Sequence, residues 1–212
     1  MGDAVNSKQK ILDVAEKIFA EKGFDGARVS EIAGEAGVNK ALIYYYFNSK
    51  EDILESLFST LINDIMDFSI NILKKGIRGL DNITEVDMDN FINIILDYML
   101  SKKDILRVAM TESMKTISKQ SIIIKIGEKL MSAEIEEMMR IMQKKGVDFS
   151  TNMKEQLVFE FFTGTLPILN YVLFKDEIIH NFNMNEGEYR EYFIKALKQT
   201  HIAYHMNNHL NK

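Results

Sequence analysis

Few side chains in this sequence are of a kind and spacing that could run a reaction. Glu177 and His180 have the Glu-x-x-His spacing that puts a carboxylate and an imidazole on one helix face, as di-iron carboxylate bundles require. Such a centre needs a second copy of the motif and further glutamates, and one copy alone is present. His201, His205 and His209 recur every four residues and could share a face and a divalent metal. Their place in the last dozen residues favours a frayed, solvated tail instead. No Ser–His–Asp set, glycine-rich phosphate loop or His-Glu-x-x-His motif stands out, and the lack of cysteine removes disulfides and thiolate metal sites. Catalysis therefore has no visible seat, and neither a metal nor another cofactor is expected. The residues that do call for a partner are Tyr44, Tyr45, Tyr46 and Phe47, four consecutive aromatics. At about 100° per residue they nearly circle a helix, and a short helix cannot bury its whole circumference. If Ile43 and Phe47, an i,i+4 pair, mark the buried side, Tyr45 points away from it, Ala41 nearly so, and Tyr44 and Tyr46 flank.

The elements that must position this surface can be read from caps and periodicity. Ser7 is a candidate N-cap for a first helix with Ile11, Leu12, Ala15, Ile18 and Phe19 on one face, and Gly23 fits the left-handed position that ends it. A second helix runs from about Arg28 to Ala36 and stops at Gly37. Asn39 caps a third, Lys40 to Phe47. Two helices of about two turns joined by a short glycine-containing turn form the helix-turn-helix pattern. Ser49 with Asp52 resembles a capping box and opens a long fourth helix, whose stripe fades near Lys74-Lys75-Gly76. The stretch to Glu85 reads as a connection. Further helices are expected near Asp89–Leu100, Asp104–Lys115, Ser121–Lys145 (stopped by Gly146), Thr151 or Asn152 to Lys175, and Glu186–His205. No strand-like alternation persists. The fold class is all-α with about nine helices: a three-helix helix-turn-helix domain over residues 1–50 and a larger helical domain over residues 51–212.

Composition bounds the rest. The 212 residues are 46 % hydrophobic and 27 % charged, ordinary for a globular protein with a sizeable core. The start MGDAVNSKQK predicts no secretory signal, and no stretch approaches the roughly 18 continuous apolar residues of a membrane span, so a cytoplasmic protein with no membrane partner is expected. The net charge of −5 argues mildly against nucleic acid, yet from Gly37 to Lys50 the only charges are Lys40 and Lys50. Residues 152–174 are apolar on nearly every side, which predicts a homodimer built from this helix and the last one, through Phe161, Ile168, Tyr189, Phe193 and Leu197. Pro167 inside that helix removes a backbone hydrogen bond and predicts a kink. Methionines on the middle helices suit either core filling or a cavity for varied apolar ligands. Phe68, Phe91, Tyr98, Met110, Met114, Met139, Phe162 and Asn170 are the candidate lining, chosen by helix position and residue type. The ligand expected is apolar or amphipathic, or cationic if a carboxylate such as Glu112 joins the aromatic rings.

Residues 8–54 resemble the DNA-binding domain of the TetR (tetracycline-repressor-like) transcriptional regulators. The run Ile11-Leu12, Ala15, Phe19, Glu21-Lys22-Gly23-Phe24, Val29, Ile32-Ala33, Ala36-Gly37-Val38, Leu42 to Phe47 and Ser49-Lys50-Glu51 carries the resemblance, in order and without gaps. It implies that Asn39–Phe47 is a recognition helix, with DNA contacts from Asn39, Lys40, Ala41, Tyr44, Tyr45 and Tyr46 and a phosphate contact from Lys50. Where the family often has Thr-Ser before the second helix this chain has Ala27-Arg28, so a charge-assisted contact from Arg28 would replace a hydroxyl. Leu42, partly outward, could touch a thymine methyl.

The reading that follows is a DNA-binding transcriptional regulator and no enzyme: a homodimeric repressor on a palindromic, double-stranded operator, released by a small effector. The alternatives are a metal-binding helical-bundle enzyme, and a regulator that ignores ligands or activates.

Overall fold

Periodic apolar stripes divide this chain into nine helices among the described residues of a computed structural model, which describes residues 2–77, 85–115, 121–144 and 152–205. They are α1 (Gly2–Gly26), α2 (Val29–Glu35), α3 (Lys40–Tyr46), α4 (Lys50–Ile77), α5 (Glu85–Ser101), α6 (Lys103–Lys115), α7 (Ile122–Lys144), α8 (Met153–Asn181) and α9, spanning residues 186–205. Most of the expected connection before Glu85, the stop at Gly146 and His209 lie outside the described residues, as do the side chain of His205 and the residue Thr151.

The chain forms two compact units. One comprises Met1–Ile65 with Asp104–Lys125, the other Met66–Lys103 with Ile126–Lys212. In the first, α1 lays Ile11, Ala15, Ile18 and Phe19 against Ile32 and Ala33 of α2, Ile43 of α3 and Ile53 of α4, all buried. Helix α6 belongs to this unit, buries Leu106 and Ala109, and its Lys115 donates to Asp25 and Glu112 at 2.8 Å each. Lys115 holds the Asp25 carboxyl below the ordinary aspartate range.

Several ends differ from expectation. Helix α1 begins at Gly2, so Ser7 lies inside it and is not its cap. Gly23 has the positive φ foreseen (72°), but its ψ of 162° places it in a region essentially reserved for glycine rather than in the left-handed helical well. The chain kinks there and makes one further turn to Gly26, with the Ala27 N–H on the Gly23 carbonyl at 3.2 Å. Helix α8 runs past Lys175 to Asn181, because its reversal is set by Asn183, the one non-glycine residue with positive φ (51°) among the described residues. The Met184 N–H then reaches the Ile179 carbonyl at 3.0 Å, a six-to-one closure that asparagine can adopt in place of glycine. Asn185 and Glu188 form a complete capping box for α9.

In the second unit, α8 is continuous through Pro167 but widens to π-helix over Phe161–Thr165, where the Leu166 N–H reaches the Phe161 carbonyl. That extra residue is how the helix accommodates a proline with no N–H and a ring that crowds the preceding turn. Helix α9 widens likewise over Lys198–Ile202. The two meet where His201 lies 3.0 Å from the Thr163 hydroxyl and 3.5 Å from Glu160. His201 is thus packed between helices rather than part of a solvated tail. Tyr171 and Tyr189 stack 4.7 Å apart, and the Tyr189 hydroxyl donates to the Tyr171 carbonyl at 3.0 Å. Burial pushes that hydroxyl up to about 12.

Two glycines of the first unit test this description. Gly23→Ala meets no neighbour, so its cost is backbone strain alone, about 1–3 kcal/mol in urea unfolding. Gly34→Ala, in the helical part of α2 and equally unobstructed, should raise stability by roughly 0.5–1 kcal/mol.

Candidate nucleic-acid interface

The surface around α3 is built by its caps. Helix α2 ends in a left-handed Gly37 (φ 63°), with the Val38 N–H on the Ala33 carbonyl at 3.0 Å and the Gly37 N–H on the Gly34 carbonyl at 3.1 Å. This paired closure reverses the chain within two residues. Asn39 then starts α3 by accepting from the Leu42 N–H at 2.8 Å. Phe47, in extended conformation, ends it, and Ser49 caps α4 by accepting from the Asp52 N–H at 3.2 Å. The reciprocal arm of that box is displaced by one residue: Asp52 accepts from the backbone and side-chain nitrogens of Asn48, at 2.9 and 3.0 Å.

With both ends held, one face of α3 is fixed inward. Ile43 and Phe47 are 1 % and 2 % exposed, whereas Tyr45 is 78 % and Tyr44 54 % exposed. Asn39, Lys40 and Ala41 are exposed, and Leu42 and Tyr46 are half-buried. Tyr46 meets Tyr45 edge-on at 5.0 Å. Arg28, exposed, is the N-cap residue of α2 and makes no capping bond with its side chain, so a guanidinium stands where a capping hydroxyl is missing. It lines an open cleft of about 430 Å³ with Lys22, Ser30 and Glu31. The arrangement offers phenol hydroxyls, a lysine, an arginine and a small residue on a helix thin enough for the major groove.

Lys50 is placed otherwise than as a free phosphate ligand. Its ammonium donates to the carbonyls of Phe24 at 2.7 Å and Ala27 at 3.0 Å and sits 4.3 Å from the Phe24 ring centroid. Two of its three donors hold the end of α1, a partnership between residues 26 apart that no local pattern could have signalled.

The candidate ligand residues are divided between the units, Met110 and Met114 in the first and the other six in the second. Phe68 and Tyr98 stack at 3.8 Å, and Phe91 and Met110 are half-buried. Met114 is 80 % exposed at the end of α6, Phe162 is 64 % exposed on α8, and Met139 and Asn170 also face outward. For Phe162 the cause is local, since the π-turn shifts the helix face from the position a regular period assigns. An open groove of about 600 Å³ lies between α5 and α9, lined by residues such as Asp89, Asn93, Arg190, Ile194 and Lys198, none of them among the eight. Of the candidate dimer residues, Tyr189 and Leu197 are buried within the single chain, while Phe161, Ile168 and Phe193 are half-buried. The large apolar side chains these two helices expose, among the described residues, are Met153, Val158, Phe162 and Phe174 on α8 and Tyr192 on α9.

Comparison with known proteins bears on the first of these surfaces. A family model described as bacterial regulatory proteins, tetR family, matches residues 11–57. The chain is 30 % identical over 113 residues to the HTH-type transcriptional repressor SCO4008 of Streptomyces coelicolor, covering 53 % of each chain. It is 33 % identical over 92 residues to the fatty acid metabolism regulator protein of Bacillus subtilis, covering 43 % of this chain and 47 % of that one. The chain therefore spans about half the length of these relatives. Among solved structures, a transcriptional regulator from Aquifex aeolicus shares the fold with a TM-score of 0.59 at 16 % identity, over 91 % of this chain and 98 % of that one.

The two faces of α3 are separable by stability. Ile43→Ala should cost about 2–5 kcal/mol in thermal or urea unfolding, and Asn39→Ala about 1 kcal/mol. Tyr45→Ala should leave the unfolding curve within roughly 0.5 kcal/mol of the parent.

Proposed function

Because the chain belongs to the TetR family of bacterial regulatory proteins, we propose that it is a homodimeric transcriptional repressor that grips a palindromic operator through α3 and releases it on binding a small effector. The observation that carries this reading is the division of α3: Ile43 and Phe47 anchor it, and Tyr44 and Tyr45 stand out, largely exposed, beside Lys40 and Ala41. Tyrosine hydroxyls donate to phosphates while their rings lie on the sugars, and Leu42 and Ala41 are small and apolar enough for a thymine methyl. Asn39, Tyr46 and Arg28 complete the contact set, with Lys50 as the brace behind it.

The dimer rests on α8 and α9. By length and composition alone helix α8 could cross a membrane, although Glu160 and Lys175 keep its uncharged run short of 18 residues, and its most apolar window is only 22 % buried. Its character nevertheless suits a protein partner. Gln156, buried in it, donates to Glu160 at 2.6 Å, that carboxylate lies against His201 of α9, and Leu169, Tyr171 and Val172 belong to the core. A polar set of this kind, with Gln156 buried and the Glu160 carboxylate held within the apolar stretch, is costly in lipid. Val158, Phe162, Phe174 and Tyr192 are then the surface on which a second copy docks. Two α3 helices held by such a dimer would enter successive major grooves about 34–36 Å apart. An effector releases DNA only if it binds a different spacing better, since equal affinity for both states shifts nothing. An apolar effector matches the aromatic and methionine content of the second unit. No catalytic role is assigned to the chain.

Two measurements test these assignments. Tyr45→Ala should weaken operator binding by about tenfold or more in an electrophoretic shift, given that a good contact is worth roughly 1–3 kcal/mol; an unaltered shift removes α3 as the reader. Phe162→Glu should convert a dimer to a monomer in sedimentation equilibrium. Partition of the parent protein into lipid vesicles would instead assign α8 to a membrane.

A further inference from the structure

An acidic chain that binds DNA needs its positive charge placed where the phosphates run. Residues 1–50 contain seven cations and seven carboxylates, so composition supplies no local excess. The outward face of α3 itself carries one cation, Lys40. Helix α1, to which no DNA contact has been assigned, supplies two more. Lys8 Nζ lies 5.4 Å from the centroid of the Phe47 ring. That ring is 6.4 Å from Tyr46, which is 5.0 Å from Tyr45, so a continuous run of aromatic rings joins the Lys8 ammonium to the most exposed tyrosine. Lys10 Nζ reaches the other end of the helix, 3.5 Å from where a Cβ on Gly37 would lie, at the turn that leads into the Asn39 cap.

The spacing explains the bracket. Residues two apart on a helix diverge by about 200°, so the two side chains leave α1 on opposite sides. One arrives at the C-terminal end of α3 and one at the turn before its N-terminus, across a seven-residue helix about 10 Å long. Both lysines are exposed, and among the described residues neither enters an ion pair. Farther along the same unit, Lys22 is paired with Glu31 and Lys115 with Asp25. Two of the unpaired lysines of α1 thus stand at the two ends of α3, while Lys17 lies elsewhere on the helix.

We propose that Lys8 and Lys10 are DNA-backbone contacts, one phosphate at each end of α3, which set the tilt of that helix in the groove and offset the acidic net charge. This rests on the DNA-binding reading above. Contacts of this kind position a protein without reading sequence.

The test is the salt dependence of binding to a random-sequence duplex of about 30 base pairs, followed by fluorescence anisotropy between roughly 50 and 200 mM salt. Removing one lysine–phosphate interaction should reduce the slope of log K against log salt by about 0.9, so Lys8→Gln/Lys10→Gln should reduce it by about 1.8 per bound subunit and each single variant by half as much. Lys8→Arg/Lys10→Arg should restore the parental slope, and Lys17→Gln, elsewhere on α1, should leave it unchanged. A double variant with the parental slope overturns the inference while leaving the DNA-binding reading intact. Weaker binding with an unchanged slope overturns it too, because it assigns these lysines to folding. Failure of the parent protein to bind the duplex at all overturns both.

Discussion

The Lys50 ammonium is the joint on which the first unit depends. Helix α1 stops after its kink at Gly23, and the end of a helix leaves carbonyls with no partner of their own. Lys50, at the start of α4, takes the carbonyls of Phe24 and Ala27 and rests its charge on the Phe24 ring. One side chain thereby ties the end of α1, the lead into α2 and the start of α4. Helix α3 packs on α1 and α2 with Ile43 and Phe47 buried. The orientation of the exposed tyrosines follows from that joint, because α3 has only two buried residues with which to hold its own direction.

Much of this unit was legible in the residues because its signals are local. Gly37 and Asn39 act within three residues of themselves, and the inward pair Ile43–Phe47 follows from helical period alone, so the outward direction of Tyr45 could be deduced before any tertiary packing was known. Lys50 could not be resolved in the same way. A lysine reaching a phosphate and a lysine reaching two carbonyls look alike in a sequence, and the difference lies in residues 26 positions away. Gly23 is intermediate: its positive φ was evident, but the second dihedral angle, which decides whether the helix ends or kinks, was not.

The second unit was less legible, for reasons specific to α8 and α9. Asparagine at position 183 reverses the chain as glycine would, but asparagine is so common in this sequence that its presence alone does not mark an end. Pro167 announced a disturbance and not its form. A π-turn conserves the helix while advancing its face, which carried Phe162 from a supposed cavity to the surface and brought Thr163 and Gly164 to His201. Residue type and period, used alone, assign Tyr189 and Leu197 to a partner, whereas the single chain already buries them. Side chains on an all-round apolar helix give no sign of which sector faces which neighbour.

The discontinuous make-up of the first unit has a consequence for how such proteins can be recombined. The chain leaves that unit within α4, returns to it for α6 and the start of α7, and then leaves for good. The first unit is therefore not a module that ends where its sequence likeness ends. A chimera joined just after residue 57, the limit of the family match, would import α1 to α3 and part of α4 while keeping the recipient's α6, with Leu106 and Ala109 meant for one core and Lys115 for one Asp25. Replacing the outward residues of α3 in place disturbs less, because Tyr44 and Tyr45 are exposed and the core of the unit does not depend on them.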